Sequence, residues 1–191
     1  YGPIPIVDKN LPISATAEEM QIKRQPVDEC VQYISDLLDE SYADLPTSIR
    51  VKGEYGRIDK AINRALKAKL LLMAASPLFN GNPDYANFKD EEGNPYFNPV
   101  EDATKWEKAA EAAKQAIDDA TNASHDLFYF DQSMSGFKLS ETSLIQMSIR
   151  HAVCERWNKE IVWGLSDSRA TTMQNYCICL LYTSDAADDK A

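Results

Sequence analysis

Three segments of the chain carry apolar residues at intervals of three and four positions, and this period limits the fold more than any other feature. A spacing of about 3.6 residues places apolar side chains on one face of an α-helix. Asp59 can cap the second segment, and Thr104-x-x-Glu107 has the pattern of a capping box at the third. Pro46 and Pro77 stand where the first two segments end. The predicted helices span about 26–43, 59–75 and 104–122.

The second and third predicted helices are rich in alanine, which lets a neighbouring helix approach closely. Trp106 begins the apolar pattern of the third helix, and we expect it to lie in the core. Such faces are typical of tetratricopeptide-like hairpins, although the segment 77–103 interrupts any repeat of about 34 residues. The sequence therefore predicts a mostly α fold of tetratricopeptide-like helical hairpins with long irregular loops. Helical hairpins of this kind bury their apolar faces by stacking on further hairpins. We therefore expect the few hairpins of this chain to form an incomplete scaffold.

The remaining segments lack a helical period. Residues 1–26 are extended and interrupted by prolines, and their apolar residues predict a segment that lies against the core. Two short apolar runs, 126–130 and 160–165, are interpreted as strands or buried loops. Trp163 follows an Ile-Val pair in the second run, and we expect it to be packed rather than exposed.

The net negative charge of the chain limits the classes of ligand that it can bind. Acidic residues outnumber basic ones by 30 to 20, and the formal net charge is −10. Phosphate binding depends on clustered Lys and Arg, so we expect no nucleic-acid partner. Neutral ligands such as sugars are compatible with this charge. No run approaches the roughly 18 consecutive apolar residues that a membrane helix needs.

The sequence contains no motif that indicates a catalytic site or a metal site. The sequence lacks a G-x-S-x-G elbow, a phosphate loop and a dinucleotide motif. The four cysteines have the spacing of neither a zinc site nor a disulfide framework, and Cys30 falls on the apolar side of the first helix, where we expect it to pack. The run Asp90-Glu91-Glu92 departs from the EF-hand pattern and indicates a solvated acidic turn. We expect no catalytic residue, no metal and no cofactor.

The long segment 77–103 carries the candidate binding residues. Aromatic side chains can cover the apolar faces of pyranose rings, and amides can hydrogen-bond the hydroxyls. Tyr85, Phe88 and Tyr96 are the candidates, and they lie among five asparagines. In the alternative interpretation, Phe79 and Phe97 pin the loop to the helices and the asparagines form its turns. The sequence leaves both interpretations open.

The C-terminal residues 179–191 are interpreted as an artefactual tail. The eleven residues from Cys179 to Asp189 resemble the translation of a transposase adapter used in DNA library preparation. A segment of this origin carries no information on the natural fold. The remaining residues, 1–178, are expected to form the helical domain. Since the chain also begins without Met, we expect a fragment of a longer protein.

Several segments, taken in order along residues 1–165, resemble the SusD/RagB family. Asp59 stands where the family usually has Thr or Ser, and all three residue types can cap a helix. The segments that carry the resemblance are Tyr1-Gly-Pro-Ile-Pro-Ile-Val-Asp8, Ala43-Asp-Leu-Pro46, Gly56-Arg-Ile-Asp-Lys60, Ser76-Pro-Leu-Phe-Asn-Gly81, Trp106-x-x-Ala-Ala-x-Ala-Ala113 and Asn158-Lys-Glu-Ile-Val162.

The resemblance implies a specific setting. Proteins of this family are lipid-anchored on the outer face of the bacterial outer membrane. They capture polysaccharide or oligosaccharide, and sometimes peptide, without being enzymes. They deliver this ligand to a SusC-like TonB-dependent transporter, which they cover as a lid. The family's anchoring cysteine lies near its mature N-terminus, and none of the four cysteines here corresponds to it.

Two other functions remain open on the sequence. A helical-repeat scaffold could bind a protein or peptide in its concave face. A glycan-degrading enzyme would need two carboxylates at a defined separation, which sequence spacing alone does not reveal.

Overall fold

The structure, a computed structural model, describes residues 2–165. This part of the chain contains the helices α1 (Val27–Tyr42), α2 (Lys60–Ala75), α3 (Thr104–Asn122) and α4 (Glu141–Cys154), and no β-strand. Single turns of 3-10 helix lie at Lys52–Glu54, Pro83–Tyr85 and Gln132–Met134. The predicted mostly α fold is confirmed. The interpreted tail, 179–191, lies outside the described residues.

Helices α1, α2 and α3 form the core, with α2 in contact with both α1 and α3. The side chains buried among them are mostly small, as the alanine-rich pattern predicts. Cys30 is buried at 4% exposure, so its expected packing role is confirmed. The buried apolar residues are Val27, Cys30, Ala61, Ile62, Ala74, Ala75, Phe97, Ala109 and Ala112.

The expected burial of Trp106 is wrong, because its side chain is 42% exposed. The buried stripe of α3 passes through Ala109 and Ala112. Lys105 extends this stripe, and its Nζ reaches Asp28 on α1 at 2.6 Å. Trp106 is one position, about 100° of helical rotation, away from Lys105 and therefore lies at the edge of the stripe.

Of the two predicted helix caps, one is confirmed and one is wrong. The carboxylate of Asp59 accepts a hydrogen bond from the backbone N–H of Ile62 at 3.0 Å. At α3, Thr104 is the first helical residue rather than the cap. Its N–H and its hydroxyl both donate to Asp102, at 2.9 and 2.7 Å. An Asp side chain readily accepts a hydrogen bond from the backbone N–H two residues later. Asp102 is therefore the residue that accepts a hydrogen bond at the start of α3, in place of Thr104.

A polar network ties the three core helices together at one side. Arg64 and Lys67 of α2 both donate to Asp39 of α1, each at 2.6 Å. The Tyr42 hydroxyl of α1 donates to Asp119 of α3 at 2.8 Å, and the Arg64 guanidinium lies 4.0 Å from the centre of the Tyr42 ring. The pKa of Asp39 lies below its usual value of 3.8. The largest cause is the hydrogen bond from Lys67, and the hydrogen bond from Arg64 acts in the same direction.

Asp39→Asn is expected to destabilise the chain at pH 7 by roughly 0.5–1 kcal/mol, a small effect because the carboxylate is partly solvated. The folded-state pKa of Asp39 is lowered, so its contribution is present above the unfolded pKa of about 3.9 and is lost as the pH falls through the folded pKa. The stability difference between wild type and variant should therefore vanish in acid. Urea unfolding from pH 7 to 2.5 measures it. Asp36→Asn on the same helix is the control, and a difference that persists at the lowest pH would contradict the assignment.

Helix α4 was not predicted from the sequence. Serines interrupt its apolar residues, so the amphipathic period is weak. Ser140 caps it, its hydroxyl accepting from the N–H of Ser143 at 3.2 Å. The helix buries none of its residues and makes no extensive contact with the other three. One of its faces exposes Ile145, Ile149 and Val153.

The two short apolar runs are irregular segments of the structure, and neither is a strand. Their interpretation as strands or buried loops is wrong, because Tyr129 is 73% exposed and Leu165 is 67% exposed. Trp163, expected to be packed, is 51% exposed and uses its indole N–H to donate to the carbonyl of Gly56 at 3.0 Å. No residue of the two runs is buried.

The N-terminal segment lies against the core at its start. The carbonyl of Ile4 accepts hydrogen bonds from the N–H of Gln25, at 2.9 Å, and from the Cys30 thiol, at 3.6 Å. Farther along, Ile13 is fully exposed. The predicted contact with the core is therefore confirmed for the first residues. None of the helices between residues 2 and 165 combines the length and apolar content needed to cross a bilayer.

Candidate functional site

The segment 77–103, which connects α2 to α3, is closed at its base by Asn80. The amide of this buried side chain donates to the carbonyl of Asp102 at 2.9 Å, and its oxygen accepts from the N–H of Asp102 at 2.8 Å. Gly81 follows with φ of +71° and lies tightly against the backbone of Glu101. The segment is thus a closed loop with a fixed base.

Other asparagines form the turns of the loop. The Asn82 side chain accepts from the N–H of Asp84 at 3.0 Å, and that of Asn98 accepts from the N–H of Val100 at 3.0 Å. Asn94 donates to Asp90 at 2.9 Å. The interpretation in which asparagines build the loop is therefore confirmed for these residues.

Phe97 is the centre of an aromatic cluster and is 5% exposed. The ring of Tyr85 stacks on it, with centroids 4.1 Å apart and planes 16° apart. Phe79 lies at 6.1 Å in a stacked orientation, and Phe88 lies at 6.2 Å, tilted by 36°. Phe97 therefore packs against three other aromatic residues of the loop, while the backbone hydrogen bond from this part of the loop to α1 is made by its neighbour Tyr96.

The three candidate binding residues belong to this cluster, at different depths. Tyr85 is half-buried, and one face of its ring is covered by Phe97. Phe88 and Tyr96 form an outer pair, 5.0 Å apart and tilted by 47°. Phe88 is 39% exposed, and Tyr96 is half-buried. The structure thus brings all three together, and Phe88 with Tyr96 forms the rim of the cluster.

The backbone holds the outer pair in place. The N–H of Tyr96 donates to the carbonyl of Phe88 at 3.1 Å, so the two residues are joined as in a hairpin. The carbonyl of Tyr96 accepts from the N–H of Val27, the first residue of α1, at 2.9 Å. An aromatic pair fixed in this way loses little conformational freedom when a ligand binds.

The acidic end of the loop is organised as a turn. Asp90 accepts from the side chain of Asn94 and from the N–H groups of Glu92 and Asn94. These bonds, that of the Asn94 side chain first, lower the pKa of Asp90. Glu92 pairs with Lys23 at 3.0 Å. Within residues 2–165, no group of His, Cys, Asp and Glu is arranged to hold a metal ion.

A cavity of about 260 Å³ lies elsewhere, at the N-terminal end of α2, and was not predicted from the sequence. Two segments that carry the family resemblance meet in its wall, 56–59 and 158–162. Tyr55 and Trp157 also line it, with ring centroids 5.3 Å apart in an edge-to-face arrangement. We call it the Trp157 cavity.

The backbone around the Trp157 cavity is unusual. Within the described part of the chain, Ser124 and Trp157 are the non-glycine residues with positive φ, at 72° and 58°, and both line the cavity. A bulky residue in this region is strained, at a cost of roughly 1–3 kcal/mol. Asn158 holds the strained turn by donating to the carbonyl of Ala152 at 2.9 Å and accepting from the N–H of Glu160 at 2.9 Å. The periodicity of the sequence carried no signal for this site.

Comparison with solved structures finds BT4246, a Bacteroides protein. The chain is 34% identical to it, with a TM-score of 0.76 over 88% of this chain and 32% of that chain. A structure of selenomethionine BT4246 gives 32% identity and a TM-score of 0.70 over 88% of this chain and 31% of that one. The chain therefore spans about a third of the length of these structures and shares the fold of that third.

No protein-family model matches the sequence, and no curated protein matches it either.

Proposed function

We propose that this chain belongs to a glycan-capturing protein of the SusD/RagB family on the outer face of the bacterial outer membrane. The observation that carries the proposal is the pair Phe88 and Tyr96, which offers aromatic surface at the rim of a loop with a fixed base. In the proposed setting, a lipid anchor at the N-terminus of the whole protein holds it to the membrane. The captured polysaccharide or oligosaccharide passes to a SusC-like TonB-dependent transporter.

Two further observations support the proposal. The segments that resemble the SusD/RagB family occur in the family's order along residues 1–165. The fold is shared with part of BT4246 at 34% identity. A chain that keeps both the order of motifs and a helical fold of this kind is best explained as a relative of such capture proteins.

Capture follows from the chemistry of the loop. The apolar face of a pyranose ring can lie on Phe88 or Tyr96, while the Tyr96 hydroxyl and nearby backbone groups can hydrogen-bond the sugar hydroxyls. Tyr85 and Phe97 support the pair from beneath. The proposed activity is binding without turnover, so the chain is proposed to be no enzyme.

The test is retention on polysaccharide by affinity electrophoresis in gels that contain starch, xylan or mannan. Phe88→Ala and Tyr96→Ala should each weaken retention by up to about tenfold, because an aromatic contact contributes about 0.5–1.5 kcal/mol beyond its buried area. Tyr129→Ala is the control, since Tyr129 is 73% exposed and lies outside the loop.

Equal retention of the loop variants and wild type would remove the loop from the proposal. Release of reducing sugar by the pure protein would contradict binding without turnover and favour a glycan-degrading enzyme. Both assays use the same preparations, with helical content checked by circular dichroism.

A second candidate function, a helical scaffold that binds a protein or peptide, is favoured by α4. Its residues Ile145, Ile149 and Val153 are spaced by four and are between 57% and 84% exposed. An apolar stripe of this kind suits the apolar face of an amphipathic partner helix. Peptide binding that Ile149→Lys abolishes, together with no polysaccharide retention, would favour this function.

A further inference from the structure

The Trp157 cavity has the aromatic walls that a sugar ring requires. Trp157 and Tyr55 meet edge to face, so their ring planes stand at 63° to each other and form a corner. Gly164 supports the corner from outside: a Cβ added there would lie 3.4 Å from Cζ3 of Trp157 and 3.3 Å from Ile161. The indole is therefore closely packed against Gly164, and Trp157 is part of the cavity lining.

Two basic side chains and one acidic side chain line the cavity. Arg57 and Lys159 are the basic ones and Asp59 is the acidic one, and His125 also belongs to the lining. Asp59 is 5% exposed and its carboxylate caps α2. The chain as a whole carries −10, whereas basic side chains outnumber acidic ones in this lining by two to one.

Arg57, His125 and Lys159 are not equally available to a ligand. Arg57 is paired with Glu54 at 2.7 Å. The Nδ1 atom of His125 lies 3.1 Å from the carbonyl oxygen of Lys159, which places a proton on Nδ1 and leaves Nε2 for another partner. The ammonium group of Lys159 forms no ion pair with any described residue. Of the two cations, Lys159 is therefore the one whose charge is not offset by a carboxylate of the described residues.

The volume of the cavity limits the ligand to one ring. Sites for drug-sized molecules measure about 300–1,000 Å³, and the Trp157 cavity, at about 260 Å³, falls just below that range. A single pyranose ring is of suitable size. Its apolar face would match an aromatic wall, and a carboxylate on the ring would match the ammonium group of Lys159.

We propose that the Trp157 cavity is a second glycan site that binds one acidic sugar unit, a uronic acid, with its ring on Trp157 and its carboxylate at Lys159. This inference rests on the proposed function in taking sugars as the ligand class. The site is separate in residues from the loop pair Phe88 and Tyr96. A chain with both sites would hold a polysaccharide by a neutral unit and by an acidic unit.

The test is a titration of the chain with galacturonic and glucuronic acid, with galactose and glucose as matched neutral sugars, followed by NMR. We expect saturable binding of a uronate that is at least fivefold tighter than that of its neutral counterpart. Lys159→Met should remove this preference, because it deletes the charge and keeps the length of the side chain. Trp157→Asn should weaken both sugars at least tenfold, and Asn tolerates the positive φ at this position.

Matched controls separate the site from general effects. Lys138→Met removes an exposed lysine elsewhere, and Trp106→Ala removes a tryptophan of α3; neither should change the uronate affinity. Phe88→Ala and Tyr96→Ala should lower polysaccharide retention and leave uronate binding intact. Loss of retention alone with no uronate binding would overturn the second site and keep the proposed function.

Three results would overturn the inference in a chain whose helical content is verified. They are no saturable uronate binding, equal affinity for uronate and neutral sugar, and uronate affinity unchanged in both Lys159→Met and Trp157→Asn.

Discussion

Phe97→Ala is expected to lower the free energy of unfolding by about 3–5 kcal/mol, the range found when a buried phenylalanine is truncated. Phe97 is 5% exposed and lies at the centre of a cluster with Phe79, Tyr85 and Phe88. Its removal leaves a cavity that the stacked rings cannot fill without moving. Urea unfolding followed by circular dichroism at 222 nm measures the change.

Phe137→Ala is the matched control, because Phe137 is 73% exposed. It should change the stability by less than about 0.5 kcal/mol. If both substitutions lowered the free energy of unfolding by the same small amount, the packing of Phe97 would not stabilise the chain. Phe97→Ala should also reduce polysaccharide retention, since Tyr85 and Phe88 rest on the ring that it removes.

Gly81→Ala is the second large effect, with an expected loss of roughly 2–5 kcal/mol. The positive φ of +71° costs an alanine about 1–2 kcal/mol. In addition, the new Cβ would lie 2.7 Å from the backbone nitrogen of Glu101 and 2.8 Å from its Cα. Backbone atoms cannot turn away as a flexible side chain can, so the base of the loop must open, at a further cost of about 1–3 kcal/mol.

Gly93→Ala separates these two contributions. Gly93 also has a positive φ, of +89°, but a Cβ there would meet nothing within 4 Å. It should therefore cost about 1–2 kcal/mol, the part that comes from φ. Thermal or urea unfolding of both variants measures the difference. Equal losses in the two variants would show that contact with Glu101 does not limit position 81.

The core helices were predictable because local signals and packing agree there. Asp59 caps α2, and five alanines of the two helices are buried: Ala61, Ala74, Ala75, Ala109 and Ala112. Ala110 and Ala113 of α3, which the spacing also placed on the apolar face, are exposed. Trp106 shows where the pattern is insufficient: the helical period defines a face, but only the neighbouring helix decides which residues at its edge become buried. Helix α4 was missed because its stability does not depend on a buried stripe that the sequence could display.

The candidate sites were predictable to different degrees. The aromatic loop was found because its residues are close in sequence, between 79 and 97. Which ring would be buried, Phe97 rather than Phe88, depends on how the loop folds on itself, and sequence spacing does not contain that information. The Trp157 cavity combines residues about 100 positions apart, such as Tyr55 and Trp157. Its cations and strained backbone become visible only when the chain is folded.

The paired hydrogen bonds between Asn80 and Asp102 have a consequence for how such a chain can diversify. They join the ends of the loop independently of what lies between, and the entropy of closing a loop grows only with the logarithm of its length. The part of the loop between Asn82 and Pro95 can then be lengthened while α2 and α3 keep their packing and Phe97 stays buried. The helices can stay unchanged while the sequence of the loop varies, so a new ligand preference can arise without a new fold.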